Sequence, residues 1–192
     1  MNHTDHVNLL RPANLTPGST WADFGAGAGA FTLALRELLG PESEIIAIDR
    51  DRLILMELQE NWHKRFGKNL SHLRILPADF TRPLDLPPLD GVLMANSLHF
   101  FKNKEQVLHH VASFIKPGGA LILVEYNVDS GNPWVPYPLS FESWRKLAPK
   151  AGFSDARLLA TAPSSFLQGF YSALVYQSAS PISGGKAHKT AE

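Results

Sequence analysis

The sequence contains no cysteine among its 192 residues. Disulfides, thiolate catalysis and cysteine-rich zinc sites are therefore excluded. It also has no excess of either charge, because 18 Lys and Arg residues balance 18 Asp and Glu residues. A protein that binds phosphate backbones usually carries a basic excess or a dense basic run, so nucleic acid is disfavoured as a partner.

Long apolar runs are missing as well. No run reaches the roughly 18 residues that a membrane span needs, and the N-terminus has no basic-plus-apolar signal. We therefore expect a soluble, cytoplasmic protein. Apolar residues make up 44% and charged residues 19%, which is typical of a globular enzyme. The length predicts one domain over residues 1–177, and the pattern-free residues 178–192 are expected to form a disordered tail.

A glycine-rich turn within Trp21–Thr32 organises the chain. A short apolar run ends at Asp23, and glycines follow at every second position, namely Gly25, Gly27 and Gly29. A helical apolar stripe then starts at Phe31. Where a strand turns through glycines into a helix, unpaired N–H groups face whatever lies over the loop. This pattern predicts a nucleotide-type site.

Two further acids follow two further predicted strands. Asp49 ends the buried run Glu44–Ile48, and Asp79 follows the third strand, His72–Pro77. An acid at the end of the second strand suits the two hydroxyls of a ribose, at a spacing that nucleotide sites share. Two alternatives remain open: the first acid could cap the next helix, a role that Asp51 fills equally well, and the other could simply form a turn.

The same loop also satisfies the dinucleotide fingerprint, since Gly25-x-Gly27-x-x-Ala30 has the required spacing. Two features favour another ligand. Asp23 precedes the first glycine by two residues. A negative charge there would repel a pyrophosphate but would attract a cationic ligand that carries an amino-acid end. The third glycine also comes one residue early for a dinucleotide loop.

With these motifs the sequence resembles the class I S-adenosylmethionine-dependent methyltransferases, whose first motif is acid-x-G-x-G-x-G. Lys116–Gly119 (K-P-G-G), followed by the apolar run Ala120–Tyr126, resembles the third motif of that family. The resemblance covers Leu15–Gln177. It implies S-adenosyl-L-methionine as methyl donor, S-adenosyl-L-homocysteine as product, and a small-molecule acceptor.

The resemblance also implies the residues of the cofactor site. An acid in the position of Asp79 takes the adenine amino group, and Phe80 meets the ring through its backbone N–H or covers the ring face. The implied cofactor-binding set is Asp23, Phe24, Gly25, Ala26, Gly27, Gly29, Phe31, Asp49, Arg50, Asp79, Phe80 and Asn96.

The order of strands and helices predicts an α/β fold with a doubly wound, mostly parallel seven-stranded sheet and an antiparallel last strand. This is the Rossmann-like fold of the resembling family. A helix is predicted over Lys104–Ile115, and a closing strand pair over Arg157–Ala162 and Tyr171–Gln177. His109 and His110 are adjacent and do not share a helix face, so no metal site is predicted.

The best position for chemistry is the carboxyl end of the fourth strand, Leu89–Ala95, where open α/β sheets bind their ligands. His99 follows it and is the candidate catalytic base, with Tyr126 and Glu125 behind it. The alternative is a histidine at a strand end that only packs or meets solvent. Tyr126, the second candidate catalytic residue, could equally be a packing residue.

The segment Asn127–Leu139 leaves the carboxyl end of the fifth strand and carries Trp134 and Tyr137 between prolines. We expect it to form the wall of an apolar acceptor pocket, which a second subunit of a homodimer could complete. The alternative is a surface flap in which both aromatic residues pack on the core.

Two other functions remain open. An S-adenosylmethionine-binding module without turnover would keep every motif above. An NAD(P)-dependent oxidoreductase would share the glycine loop, but its Tyr and Lys catalytic pair is absent. The sequence also lacks the N-P-P-Y motif of amino-group methyltransferases and the Asp-Asn pair of the metal-dependent type.

Overall fold

The computed structural model describes residues 1–178. The tail expected over residues 178–192 lies outside them, apart from Ser178. The helices and strands follow one another as α1 (His3–Leu10), β1 (Thr20–Phe24), α2 (Ala30–Leu39), β2 (Glu44–Asp49), α3 (Arg52–Phe66), β3 (Leu73–Pro77), β4 (Leu89–Ala95), α4 (Lys104–Ala112), β5 (Ile115–Tyr126), α5 (Phe141–Leu147), β6 (Arg157–Pro163) and β7 (Gly169–Tyr176).

The strands form one seven-stranded sheet in the order β3-β2-β1-β4-β5-β7-β6. Only β7 runs antiparallel to its neighbours β5 and β6; the other pairs are parallel. The predicted doubly wound α/β fold is thereby confirmed. The chain moves outward from β1 to β3 and then returns to the other side at β4. Such a reversal opens a crevice at the carboxyl ends of the two central strands.

Both faces of the sheet are covered, as the apolar central strands require. Alternate residues of β5 enter the two halves of the core: Leu121 and Leu123 belong to one, and Ile122 and Val124 to the other. Within residues 1–178, no helix has both the length and the apolar character to cross a membrane.

The fourth helix is shorter than predicted. It ends at Ala112, because Ile115 already pairs with Leu89 at the start of β5. The K-P-G-G segment then lies in an irregularity of that strand, where the pairing with β4 shifts register and Gly118 takes a φ of +76°. A left-handed glycine permits this tight return.

Candidate active site

A cavity of about 490 Å³ opens at the carboxyl ends of the central strands. Its position is the crevice that the reversal between β1 and β4 creates. The residues that line it are Gly25, Asp49, Arg50, Asp51, Ile54, Ala78, Asp79, Phe80, Asn96, Ser97, Phe100 and Phe101.

Half of the residues predicted for the cofactor site line this cavity. They are Gly25, Asp49, Arg50, Asp79, Phe80 and Asn96. The prediction missed the lining residues Asp51, Ile54, Ala78, Ser97, Phe100 and Phe101. Each of these lies within a few residues of a predicted one, so extending the motifs to their neighbours would have included them.

Two predicted aromatic residues do not line the cavity. Phe24 is fully buried and stacks on Phe80, with 5.3 Å between the ring centroids. Phe31 is buried against α1, where its ring lies 4.7 Å from that of His6. Their side chains support the site from within the core. Ala26, also predicted, is buried in the loop.

The glycines of the loop have different structural roles. The N–H of Gly27 donates to Asp49 Oδ2 at 3.0 Å. Its φ is +52°, and a Cβ there would meet only Ile54, at 3.9 Å, so the space above it is open. A Cβ on Gly29 would instead come within 2.6 Å of Leu58. Gly27 therefore leaves room for a ligand, whereas Gly29 allows the loop to pack on α3.

The structure distinguishes Asp49 from Asp51, either of which the sequence allowed as the cap of α3. Asp51 caps α3, since its Oδ1 accepts from the N–H of Leu53 at 2.9 Å. Asp49 does not cap the helix. Its oxygens accept one N–H each, from Gly27 and Asp51, both at 3.0 Å. A carboxylate oxygen accepts more than one hydrogen bond, so Asp49 keeps capacity for a ligand.

Asp79 forms a turn, which the sequence analysis gave as the alternative to ligand binding. Its Oδ1 accepts from the N–H of Thr81 at 2.9 Å and from the hydroxyl of Thr81 at 2.6 Å. The hydroxyl bond is the largest influence that holds the pKa of Asp79 below its ordinary value. Oδ2 accepts no hydrogen bond from residues 1–178, and Arg82 Nε lies 4.0 Å from it. The turn therefore leaves one oxygen for a ligand.

Three buried oxygens near the loop have no hydrogen-bond partner among the described residues: Asp23 Oδ1, Asn96 Oδ1 and Ser97 Oγ. The other oxygen of Asp23 accepts from the hydroxyl of Thr32 at 2.6 Å. Burial raises the pKa of Asp23 from 3.8 to about 7, although the Thr32 bond opposes the shift. A buried polar atom without a partner is costly, so these atoms indicate a ligand that brings donors.

His99 and Glu125 form a buried pair beside the cavity. Nδ1 of His99 lies 2.8 Å from Oε2 of Glu125, and both residues are almost fully buried. The other carboxylate oxygen accepts from the N–H groups of Leu98 and His99, each at 3.1 Å. His99 is thus held by a specific partner and does not merely pack. Nε2 makes no hydrogen bond within residues 1–178.

Tyr126 lies near His99, with 6.3 Å between the ring centroids. Its ring stacks on Phe170 at 4.3 Å. Burial, and after it the charge of Glu125, raises the pKa of the Tyr126 hydroxyl. The structure therefore places Tyr126 close to His99, without a hydrogen bond between them.

The segment Asn127–Leu139 contacts the backbone of His99. The N–H of Tyr137 donates to the carbonyl oxygen of His99 at 3.0 Å. Val135 and Leu139 are buried and fix the segment to the core, whereas Trp134 is 72% exposed. The Tyr137 ring is also exposed, at 42%, so neither aromatic ring packs fully on the core as the alternative required.

Comparison with known proteins gives the family context of this site. Residues 22–121 match a family model described as a methyltransferase domain. A reducing polyketide synthase of a Penicillium species is 27% identical over 83% of the chain and 7% of its own length. A ubiquinone/menaquinone biosynthesis C-methyltransferase of Ectopseudomonas mendocina is 26% identical over 63% of the chain and 46% of its own length. The chain thus spans less than half of either relative.

A solved structure described as a SAM-dependent methyltransferase, from Aquifex aeolicus, shares the fold. It superposes with a TM-score of 0.69 at 20% identity, covering 90% of this chain and 89% of its own. At this identity the likeness concerns the fold.

Proposed function

The chain belongs to the class I S-adenosylmethionine-dependent methyltransferases, and on that premise we propose that it methylates a small molecule from which His99 removes an O–H or C–H proton. The observation that carries this proposal is the buried His99–Glu125 pair. It lies directly beside the cavity, because the ring of His99 packs 4.3 Å from that of Phe100, which lines it.

The residues of the cavity fit S-adenosylmethionine. Asp49 keeps lone pairs for the ribose hydroxyls, and Asp79 Oδ2 is available to the adenine amino group. The buried Asp23 Oδ1, which has no partner within residues 1–178, suits a cationic end of the ligand. The open space above Gly27 gives the ligand room to approach the backbone. A dinucleotide would instead bring its pyrophosphate towards the Asp23 carboxylate.

When bound, S-adenosylmethionine supplies an electrophilic methyl group on a sulfonium. His99 prepares the acceptor. The carboxylate of Glu125 favours a proton on Nδ1, which leaves the lone pair of Nε2 to accept the proton of the acceptor. The same carboxylate stabilises the imidazolium that results. Methylation at oxygen and at carbon both need such a base, and the Ectopseudomonas mendocina relative is a C-methyltransferase.

The substitution His99→Gln tests the base. The amide of Gln can still donate to Glu125, so the buried carboxylate keeps a partner, but it does not accept a proton at neutral pH. We expect transfer from labelled S-adenosylmethionine to 2-naphthol, an O–H acid, or to acetylacetone, a C–H acid, to fall about 10²- to 10⁴-fold. S-adenosylmethionine affinity measured by calorimetry is expected to stay the same. His109→Gln, at an exposed position on α4, is the matched control.

Each other outcome has a distinct meaning. Unchanged transfer by His99→Gln would contradict the base. A wild-type protein that binds S-adenosylmethionine but methylates neither acceptor would favour the binding module without turnover. A wild-type protein that does not bind S-adenosylmethionine would contradict the proposed function as a whole.

A further inference from the structure

A second cavity, of about 370 Å³, is lined by Tyr126, whose ring centroid lies 6.3 Å from that of His99, and its lining residues differ from those of the first cavity. It is enclosed by the start of α1, the end of β5 and the connection between β6 and β7. Its lining residues are Met1, Asp5, Tyr126, Ala162, Pro163, Ser164, Ser165, Phe166 and Phe170. This volume lies within the range of roughly 300–1,000 Å³ that is typical of small-molecule sites.

Three aromatic rings line this cavity, those of Tyr126, Phe166 and Phe170. Tyr126 lies 4.3 Å from Phe170 and 6.0 Å from Phe166, measured between ring centroids. Trp134 meets Phe166 edge to face at 6.3 Å and extends the set outward. Phe166 is 50% exposed and Trp134 is 72% exposed, so ring surface remains uncovered. Uncovered aromatic surface in a cavity indicates a ligand that stacks.

His99 lies next to a lining residue of each cavity. Its ring centroid lies 4.3 Å from that of Phe100, which lines the first cavity, and 6.3 Å from that of Tyr126, which lines the second. A ligand that contacts Tyr126 is therefore near the base, and the base is near the first cavity.

The charge of the second cavity favours a neutral ligand. Asp5 is the one acidic side chain in its lining, and its Oδ2 already accepts from the N–H of Asn2 at 2.7 Å in the capping box of α1. Among residues 1–178, no Lys or Arg side chain lines the cavity, so no side-chain cation of this part of the chain recognises a phosphate or carboxylate there.

We propose that the second cavity binds the methyl acceptor, and that this acceptor is a flat, uncharged, aromatic or conjugated small molecule. This inference rests on the proposed function, because it treats His99 as the base that acts on the ligand. The volume of the cavity favours a small molecule over a macromolecular partner, and ring surface favours a flat molecule over a puckered one of the same size.

The test compares 2-naphthol, which is flat, with decahydro-2-naphthol, which has the same carbon skeleton but is puckered. Calorimetry uses the full chain saturated with S-adenosylhomocysteine, so that no turnover occurs. We expect 2-naphthol to bind more tightly. The double variant Trp134→Leu/Phe166→Leu is expected to weaken its binding about 5- to 150-fold, the product of two lost aromatic contacts. Affinity for S-adenosylhomocysteine is expected to remain unchanged.

The matched control is Tyr176→Leu, an exposed aromatic residue that pairs with Ala120 at the other end of β5. It is expected to leave both affinities unchanged. Equal binding of the two probes, no binding of 2-naphthol, or an unaffected double variant would overturn the inference. A wild-type dimer that the double variant converts to monomers would also overturn it, by assigning the rings to contact between copies. A wild-type protein that does not bind S-adenosylhomocysteine would instead contradict the proposed function.

Discussion

Asp23 is a carboxyl group at a position where a negative charge is costly. It is 1% exposed, and only Thr32 donates to it within residues 1–178. Burial is the main reason that its pKa rises to about 7, and the nearby charge of Asp49 adds to the rise. Below that pH the free protein therefore keeps Asp23 protonated and neutral. A cationic ligand stabilises the ionised form and so displaces the proton.

This linkage predicts a pH dependence of S-adenosylmethionine binding. We expect the affinity to increase about fivefold from pH 6 to pH 7, because the fraction of free protein with an ionised Asp23 rises from about one tenth to about one half over this range. Calorimetry at pH 6 in buffers of different ionisation enthalpy measures the proton directly. Asp23→Asn is expected to abolish both effects, and a pH-independent affinity in the wild type would contradict the role of Asp23.

Gly27 gives a second prediction at this scale. We expect Gly27→Val to abolish S-adenosylmethionine binding and to leave the protein folded, because the side chain would enter open space above the loop. Gly152→Val is the matched control: its φ of +85° also places a side chain in left-handed backbone, and a Cβ there meets nothing within 4 Å. Calorimetry and circular dichroism are the measurements. A folded Gly27→Val protein that binds S-adenosylmethionine as the control does would contradict the role of the loop.

The sequence predicted which acids matter better than it predicted what they do. Asp49 and Asp79 both line the cavity, as their positions after two strands indicated. Local hydrogen bonds decide the rest, because a capping or turn-forming role depends on which N–H group comes within reach. Asp51 therefore caps α3 and Asp79 forms a turn, although the sequence allowed other assignments.

At the scale of elements, α1 is fixed to the sheet through a buried hydroxyl. Ser172 of β7 donates to the carbonyl oxygen of Leu9 at 2.6 Å and accepts from the N–H of Ala160 at 3.2 Å. The start of α1 also lines the second cavity. Ser172 thus holds one wall of the proposed acceptor site in place.

We expect Ser172→Ala to lower the free energy of unfolding by about 1–3 kcal/mol, because it leaves a buried carbonyl and a part-buried N–H without a partner. Denaturant titration measures this change. The exposed Ser165→Ala is the control and is expected to stay within about 0.5 kcal/mol of the wild type. Equal stability of the two variants would show that α1 does not depend on this contact.

The bounds of β4 were predicted correctly, whereas the boundary between α4 and β5 was not. β4 has the predicted bounds of Leu89–Ala95, because a short apolar run between turn residues has few other arrangements. The end of α4 was placed three residues too late. Ile115 suits the apolar face of a helix and also a strand, and its pairing with Leu89 decides between them. This pairing joins residues that are remote in sequence, so the sequence around Ile115 does not reveal it.

At the scale of the whole molecule, the topology explains why the first cavity was predictable and the second was not. The first is built from loops that each carry a motif next to a strand end, and the reversal between β1 and β4 brings them together. The second combines Tyr126 with Phe166 and the beginning of α1, which are remote in sequence and share no motif. Only the packing of β7 between β5 and β6 brings them together.

One calorimetric measurement tests the central claim most directly. S-adenosylmethionine and NAD⁺ are each titrated into the wild type, into Asp49→Ala and into Asp85→Ala, a control at an exposed position. We expect the wild type and the control to bind one S-adenosylmethionine and to prefer it to NAD⁺. Asp49→Ala is expected to lose about 1.5–3 kcal/mol of binding free energy for each charged hydrogen bond to the ribose. Tighter binding of NAD⁺ by the wild type, or an unchanged S-adenosylmethionine affinity in Asp49→Ala, would contradict the claim.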